Sequence, residues 1–185
     1  MKLENFSQFL TITENVPTEL ANYPQWVSWS GTLGENGKTR KIPISPKSGR
    51  FAQTNASGSW GTFEEAVEFS REHNLPGIGF VFSEHDDFVG IDFDDCIDSA
   101  TGAVESEVLE VIQRLDTYTE ISPSGRGIHV IAKGKLPAGS RKAGKVEIYD
   151  DRRFFTITGK SFNGTPAEVR EKQNEIREVY QKLFA

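Results

Sequence analysis

Cysteine is almost absent: Cys96 is the one thiol in 185 residues. A single thiol cannot close an internal disulfide, and without a Cys-x-x-Cys pair the chain cannot build a zinc ribbon. Zinc is therefore not expected, and any metal has to be held by oxygen. Long apolar runs are missing too. None approaches the ~20 residues needed to cross a bilayer, so no membrane partner is expected. The opening MKLENFSQFLTITENVP carries acidic and polar residues where a signal peptide needs an apolar stretch followed by small residues, which points to a cytoplasmic protein. Low-complexity sequence is absent, and the first ~15 residues are the one candidate tail. Histidine is scarce as well. His73, His85 and His129 are scattered, which disfavours a nicking or relaxase enzyme, whose chemistry needs paired histidines beside a nucleophilic tyrosine.

The chain is otherwise ordinary in composition for a soluble domain, with 36% hydrophobic and 26% charged residues, and is long enough to bury a substantial core. Its net charge of -6 argues at first against a nucleic-acid partner. The distribution argues otherwise. Residues 62–120 hold sixteen acids and two bases, residues 126–160 hold nine bases and three acids, and residues 35–53 hold five bases and one acid. Such a chain can bind a polyanion on one face and gather metal-binding carboxylates elsewhere.

Hydrophobic patterning predicts an α+β domain. Gln25–Trp29 alternates, and Lys41–Ile44 follows a Gly-Glu-Asn-Gly turn, so the two read as a hairpin. Thr62 and Glu65 form a capping box at the start of a helix that carries Phe63, Ala66, Val67 and Phe69. Gly77–Phe82 and Phe88–Phe93 read as buried strands joined by the acidic turn 83–87. A helix over 105–115, strands at 118–122, 128–132, 146–149 and 154–158 closing one sheet, and a charged helix over 166–184 complete the expectation.

The sharpest local signal is Ile91-Asp92-Phe93-Asp94-Asp95. Alternation on a strand sends Asp92 and Asp94 to one face and Ile91 and Phe93 to the other. Two carboxylates side by side repel unless a cation sits between them, and hard oxygen ligands favour magnesium or manganese. The plainer alternative is a strand end entering an acidic turn, with Asp95 and Asp98 as caps. Pro123-Ser-Gly-Arg-Gly-Ile-His129 follows one strand and opens another. Its glycines let backbone N–H groups approach a ligand, and Arg126 offers a fork for phosphate oxygens, although a Gly-rich hairpin turn with a partly buried histidine has the same pattern. Val146-Glu147-Ile148-Tyr149 projects one acid from an apolar strand. Arg152, Arg153, Phe154 and Phe155 follow, and they suit phosphate contacts and base stacking or, for the two aromatics, the core. Together these are the parts of a two-metal phosphoryl-transfer site.

In order, Tyr23-Pro-Gln-Trp-Val-Ser-Trp29, Lys41-Ile-Pro-Ile-Ser-Pro46, Trp60-Gly-Thr-Phe63, Gly77–Phe82, Gly90-Ile-Asp-Phe-Asp-Asp95, Tyr118–Val130 and Val146–Gly159 resemble the archaeo-eukaryotic primase superfamily, specifically the primase-polymerase domains of phages and plasmids. The resemblance implies an RRM-like catalytic lobe with a mixed or antiparallel sheet beside an N-terminal α/β lobe. It implies two Mg2+ or Mn2+ ions on Asp92, Asp94 and Glu147, and His129 on the triphosphate of an incoming NTP or dNTP. Ser122, Ser124, Gly125, Arg126, Gly127, Arg152 and Arg153 would complete the nucleotide site. A single-stranded DNA template and primer would lie along Lys38, Arg40, Lys41, Lys47, Arg141, Lys142 and Lys145. The sequence departs from the pattern in two places. Gly127 stands where many members carry serine, which passes a hydroxyl role to Ser122 or Ser124, and Glu147 stands where aspartate is common. Residues 1–165 would form the catalytic domain and 166–185 a helix packed on it or leading onward, with a helical domain or helicase as partner in cis or in trans. A replication initiator or single-strand binding module on the same fold is the alternative.

Overall fold

The computed structural model describes residues 9–33 and 39–184. The Gly-Glu-Asn-Gly turn and Lys38 lie outside them. After a single helical turn, α1 (Thr18–Ala21), the expected hairpin forms from β1 (Trp26–Leu33) and β2 (Thr39–Ile44). Next, α2 (Phe63–Glu72) starts on Thr62. Its hydroxyl accepts the Glu65 N–H while the Glu65 carboxylate accepts that of Thr62, so two otherwise orphaned donors are satisfied. The chain continues through β3 (Gly77–Phe82), β4 (Phe88–Phe93), α3 (Ser106–Leu115), β5 (Thr119–Ile121), β6 (Ile128–Lys133), β7 (Lys142–Ala143), β8 (Val146–Tyr149), β9 (Arg153–Ile157) and α4 (Gln173–Phe184).

The strands make two sheets rather than one. β2-β1-β3-β9 form a four-stranded sheet and β5-β6-β4-β8-β7 a five-stranded one, and every pairing of these strands is antiparallel. The acidic turn between β3 and β4 is therefore a corner between sheets. Asp86 builds it by accepting the N–H groups of Ser83 and Phe88 and the amide of Gln25, and burial raises its carboxyl pKa above the ordinary value despite these bonds. β8 and β9 likewise part company, through a turn in which Arg152 takes a left-handed conformation. After β9 the chain stitches the sheets together: Ile121 donates to the Lys160 carbonyl and Phe162 to that of Thr119.

The charged helix starts later than its pattern suggests. Residues 166–172 run beside the five-stranded sheet without forming a helix, and there Lys133 donates to the Arg170 carbonyl and Tyr118 to that of Glu168. These long-range bonds, with Val169 buried beneath them, outweigh local helix propensity. One face of the five-stranded sheet packs Ile91, Phe93, Ile128, Val130 and Ile148 against α3 and α4, and Cys96 lies in this core with its thiol pushed up to about 11 by burial. The other face meets the four-stranded sheet, where Phe80, Phe82, Phe88, Ile131 and Phe155 form a second core. Gly90 permits that approach, since a Cβ there would lie 2.5 Å from Phe82 and 2.7 Å from Phe155.

Candidate active site

Along the inner face of β4 run Phe88, Gly90, Asp92 and, just past the strand, Asp94. The first two lie under the four-stranded sheet, and the acids lie where the two sheets diverge. Register then determines the neighbours. Asp92 stands opposite His129 on β6 and opposite Glu147 on β8, Glu120 stands opposite His129, and Lys142 stands opposite Glu147. Directly opposed residues share a face, so Glu120, His129, Asp92, Glu147 and Lys142 form one row across five strands. Its middle members, His129, Asp92 and Glu147, floor a cleft of roughly 960 Å³ between the sheets, whose lining also includes Trp29, Lys41, Asp94, Asp95, Ser122, Arg126, Arg152, Arg153 and Thr156.

The row is organised from its buried end. Glu120 is fully buried, and its carboxylate accepts from Tyr118 Oη at 2.7 Å, His129 Nδ1 at 3.0 Å and the backbone N–H groups of Thr158 and Gly159 at 3.0 and 2.9 Å. A buried carboxylate needs such a set of donors. Because Nδ1 is engaged, Nε2 of His129 faces Asp92, at 3.7 Å from Oδ1. His129 is only 2% exposed, so it is a fixed side chain rather than a mobile one. Glu120 was missed in the sequence, although a signal was present. The turn from Ser122 to Gly127 closes β5 onto β6 with Ile121 opposite Ile128, which puts Glu120 across from His129.

Asp92 is half-buried, and burial raises its carboxyl pKa, with Asp94 and Glu147 adding to the rise and His129 and Lys41 opposing it. Lys41 reaches in from β2 and donates to Thr156 Oγ1 at 3.2 Å. Burial lowers its pKa, while Asp92, Asp94 and Glu120 pull it back up. At Glu147 burial pushes the pKa upward, but the Lys142 ammonium and the Arg153 guanidinium, 2.7 Å away, outweigh it and leave the carboxyl below its ordinary value. Arg153 also stacks on Tyr149, 4.8 Å from its ring centre.

Most residues expected to bind nucleotide do reach the cleft: Ser122, Ser124, Arg126, His129, Arg152 and Arg153 line it. Gly125 and Gly127 do not, and serve the turn instead. Gly125 has φ +73°, and a Cβ on Gly127 would sit 2.8 Å from the Phe93 carbonyl oxygen and 2.9 Å from Ser122 Oγ. A serine at 127 does not fit here. Ser122 and Ser124 hydroxyls lie 3.0 Å apart, and that of Ser122 accepts the Gly127 N–H. Of the residues assigned to template, Arg40 and Lys41 line the cleft, whereas Lys47, Arg141, Lys142 and Lys145 lie outside that lining. Asp98 caps the 98–101 turn, accepting from Ala100 and Thr101, as in the plainer alternative for the acidic stretch, and Phe155 belongs to the core.

Among the described residues no three acids, histidines or cysteines stand ready-made as a metal cage. Asp92 and Asp94 nonetheless fit a hard divalent cation by chemistry, since they are acidic oxygens and the Asp94 charge adds to the cost of ionising Asp92. Glu147, by contrast, is engaged by Lys142 and Arg153.

This chain is similar to a phage primase-polymerase. It is 34% identical over 151 residues to a DNA primase-polymerase of Nitratiruptor phage NrS-1, an alignment covering 78% of this chain and 20% of that protein. The chain thus spans about a fifth of the relative it matches. No family model matches the chain. No helix among the described residues is long and apolar enough to cross a membrane.

Proposed function

We propose that this chain is the catalytic domain of a template-dependent DNA primase-polymerase of the archaeo-eukaryotic primase superfamily, acting in replication of a phage, plasmid or other mobile element. The observation that carries the reading is the cross-strand row His129–Asp92–Glu147, with Asp94 on the same face, at the floor of a nucleotide-sized cleft. Similarity to a protein named for that activity supports it. We read the five-stranded sheet as the RRM-like lobe, because β4-α3-β5-β6-β8 gives the spatial order β5-β6-β4-β8 of a split β-α-β unit. The four-stranded sheet with α2 is the second lobe. Residues 1–165 are the catalytic unit and 166–185 the strap and helix that follow it.

Asp92, Asp94 and Glu147 would hold two Mg2+ or Mn2+ ions, which would lower the pKa of a primer 3′-hydroxyl and neutralise the departing pyrophosphate. The chain's own groups position the reactants. His129 directs Nε2 at the triphosphate from its anchored ring, Arg126 and Arg152 approach from the rim, and Lys41 belongs with the triphosphate rather than the template. Lys142 and Arg153 hold Glu147 until charge arrives in the cleft. Ser122 and Ser124 supply the hydroxyls that position 127 cannot.

The test is primer extension on single-stranded DNA with labelled NTPs or dNTPs and Mg2+ or Mn2+. Extension that disappears in the Asp92→Asn, Asp94→Asn double variant is the expected result. The engagement of Glu147 by two cations favours a second reading, a single-strand binding or initiator module without catalysis. Absence of extension with DNA affinity intact would establish that reading instead.

A further inference from the structure

The two basic segments differ in what already neutralises them. In the second, Arg141 pairs with Asp150, Lys142 and Arg153 with Glu147, Lys145 with Glu105, and Arg152 with Asp151. A phosphate arriving there competes with a carboxylate. The first segment has no acid from Asn36 to Phe63, in a chain whose net charge is -6. Arg40, Lys47 and Arg50 are exposed there, and no described carboxylate pairs with them.

Beside them stands Phe51, 75% exposed and, with Ile12 at 37%, one of two large apolar side chains turned to solvent among the described residues. It is not on a loose loop. Ser45 donates to the Arg50 carbonyl at 2.8 Å, Ala52 to that of Pro43 at 2.9 Å, and Phe51 bridges to Ile44. The ring is thus held in water on a closed hairpin. Because Phe51 lies opposite Ile44, and Arg40 shares the parity of Ile44 on β2, both project from the same face of this edge strand. They are separated along it by roughly 13 Å at the usual rise per residue, a span that a few nucleotides cover. The strip meets the cleft at Arg40, which lines it, and the segment Ala52 to Asn55 that follows Phe51 in sequence lines it as well.

We propose that Arg40, Lys47, Arg50 and Phe51 form a binding strip for single-stranded DNA, with Phe51 as the platform on which an unpaired base stacks. Cations with no carboxylate partner among the described residues attract the backbone, and an exposed aromatic recovers by stacking what its exposure to water costs. The choice of DNA rests on the template-directed reading above. Anisotropy of a labelled oligothymidylate with the whole chain, without metal or nucleotide, tests the strip. Phe51→Ala is expected to weaken binding roughly ten-fold with the salt dependence unchanged, and Phe51→Trp to restore it. Arg50→Ala is expected to reduce the salt slope by about 0.7, and Lys182→Ala, on α4 and paired with Glu110, to leave affinity nearly unaltered. No affinity in the parent, no effect of Phe51→Ala, or an equal loss for duplex DNA, whose bases offer no free face, overturns the strip. Thermal melts of each variant separate loss of contact from loss of fold. Primer extension by the parent separates the two ideas. Extension with no Phe51 effect overturns the strip alone, and strip binding with no extension overturns the activity alone.

Discussion

Strand β4 turns Ile91 and Phe93 to one side of the five-stranded sheet and Asp92, followed by Asp94, to the other. On the first side, contacts are apolar and interchangeable in kind: Val108, Val111, Ile112 and Ile176 fill the space under the sheet. On the second, each group has a named electrostatic neighbour: Glu120 on His129, His129 on Asp92, Lys142 and Arg153 on Glu147. A two-residue period serves both, so the acids are held by strands that the opposite face keeps in place. Stability and activity are therefore expected to separate along a single strand, between adjacent residues.

The largest separation is expected from the Asp92→Asn, Asp94→Asn double variant. Extension drops to background while the thermal midpoint stays at or above that of the parent, since two repelling charges are removed and shape is kept. Added Mg2+ or Mn2+ with nucleotide raises the parent's midpoint and leaves the double variant's unmoved, because a ligand of the native state stabilises by mass action. A double variant that still extends primers would falsify the division of labour. Phe93→Ala is the mirror experiment. It cuts a buried ring out of the core and costs about 3–5 kcal/mol in denaturant unfolding. Activity per folded molecule at low temperature stays near the parent's, and a loss of catalysis out of proportion to unfolding would show that the faces are not separable.

Glu120 belongs to both sides of the comparison, being fully buried yet in line with the acids. Glu120→Gln keeps volume but exchanges one acceptor oxygen for a donor facing other donors, so roughly 1–3 kcal/mol of stability is lost. With one acceptor fewer among these donors, the hold on His129 Nδ1 weakens, Nε2 is presented less uniformly, and KM for nucleotide rises more than affinity for DNA falls. Equal changes in both would reduce Glu120 to a purely structural acid.

Much of this was legible in the sequence, because the relevant signals are local. The alternation through β4 and β8 and the Thr62–Glu65 capping box each depend on residues a few places apart. What was not legible depends on distant partners. Gly77–Phe82 and Phe88–Phe93 read as buried strands joined by an acidic turn, and their division between two sheets goes with the Phe82–Gly90–Phe155 approach and the Asp86 corner. Residues 166–172 carry a helix-like charge pattern, but their backbone bonds run to Tyr118 and Lys133. At the site, sequence named Asp92, Asp94, His129 and Glu147, and the structure places them around one cleft. The grip of Lys142 and Arg153 on Glu147, and that of Glu120 on His129, come from strand register, which single-strand patterns do not encode.

The smallest expected effect is the most direct measure of what the acidic face costs. In the metal-free protein, burial and the Asp94 charge raise the Asp92 carboxyl above its ordinary value. Between the ordinary value and the raised one, the native state holds a proton that the unfolded chain has released, so stability falls as pH rises through that window. Below it both states are protonated and the penalty is absent, and above it both are ionised and the penalty is complete. Asp92→Asn cannot titrate. With chelator present, it is expected to match the parent at pH below the ordinary carboxylate range and to become modestly more stable than the parent as pH rises, reaching a plateau once pH has passed the raised value. Denaturant midpoints of the two proteins across acidic to neutral pH measure the difference. A gap independent of pH would mean that the substitution acts through packing rather than charge, and a gap of opposite sign would mean that His129 and Lys41 already neutralise Asp92 without any metal.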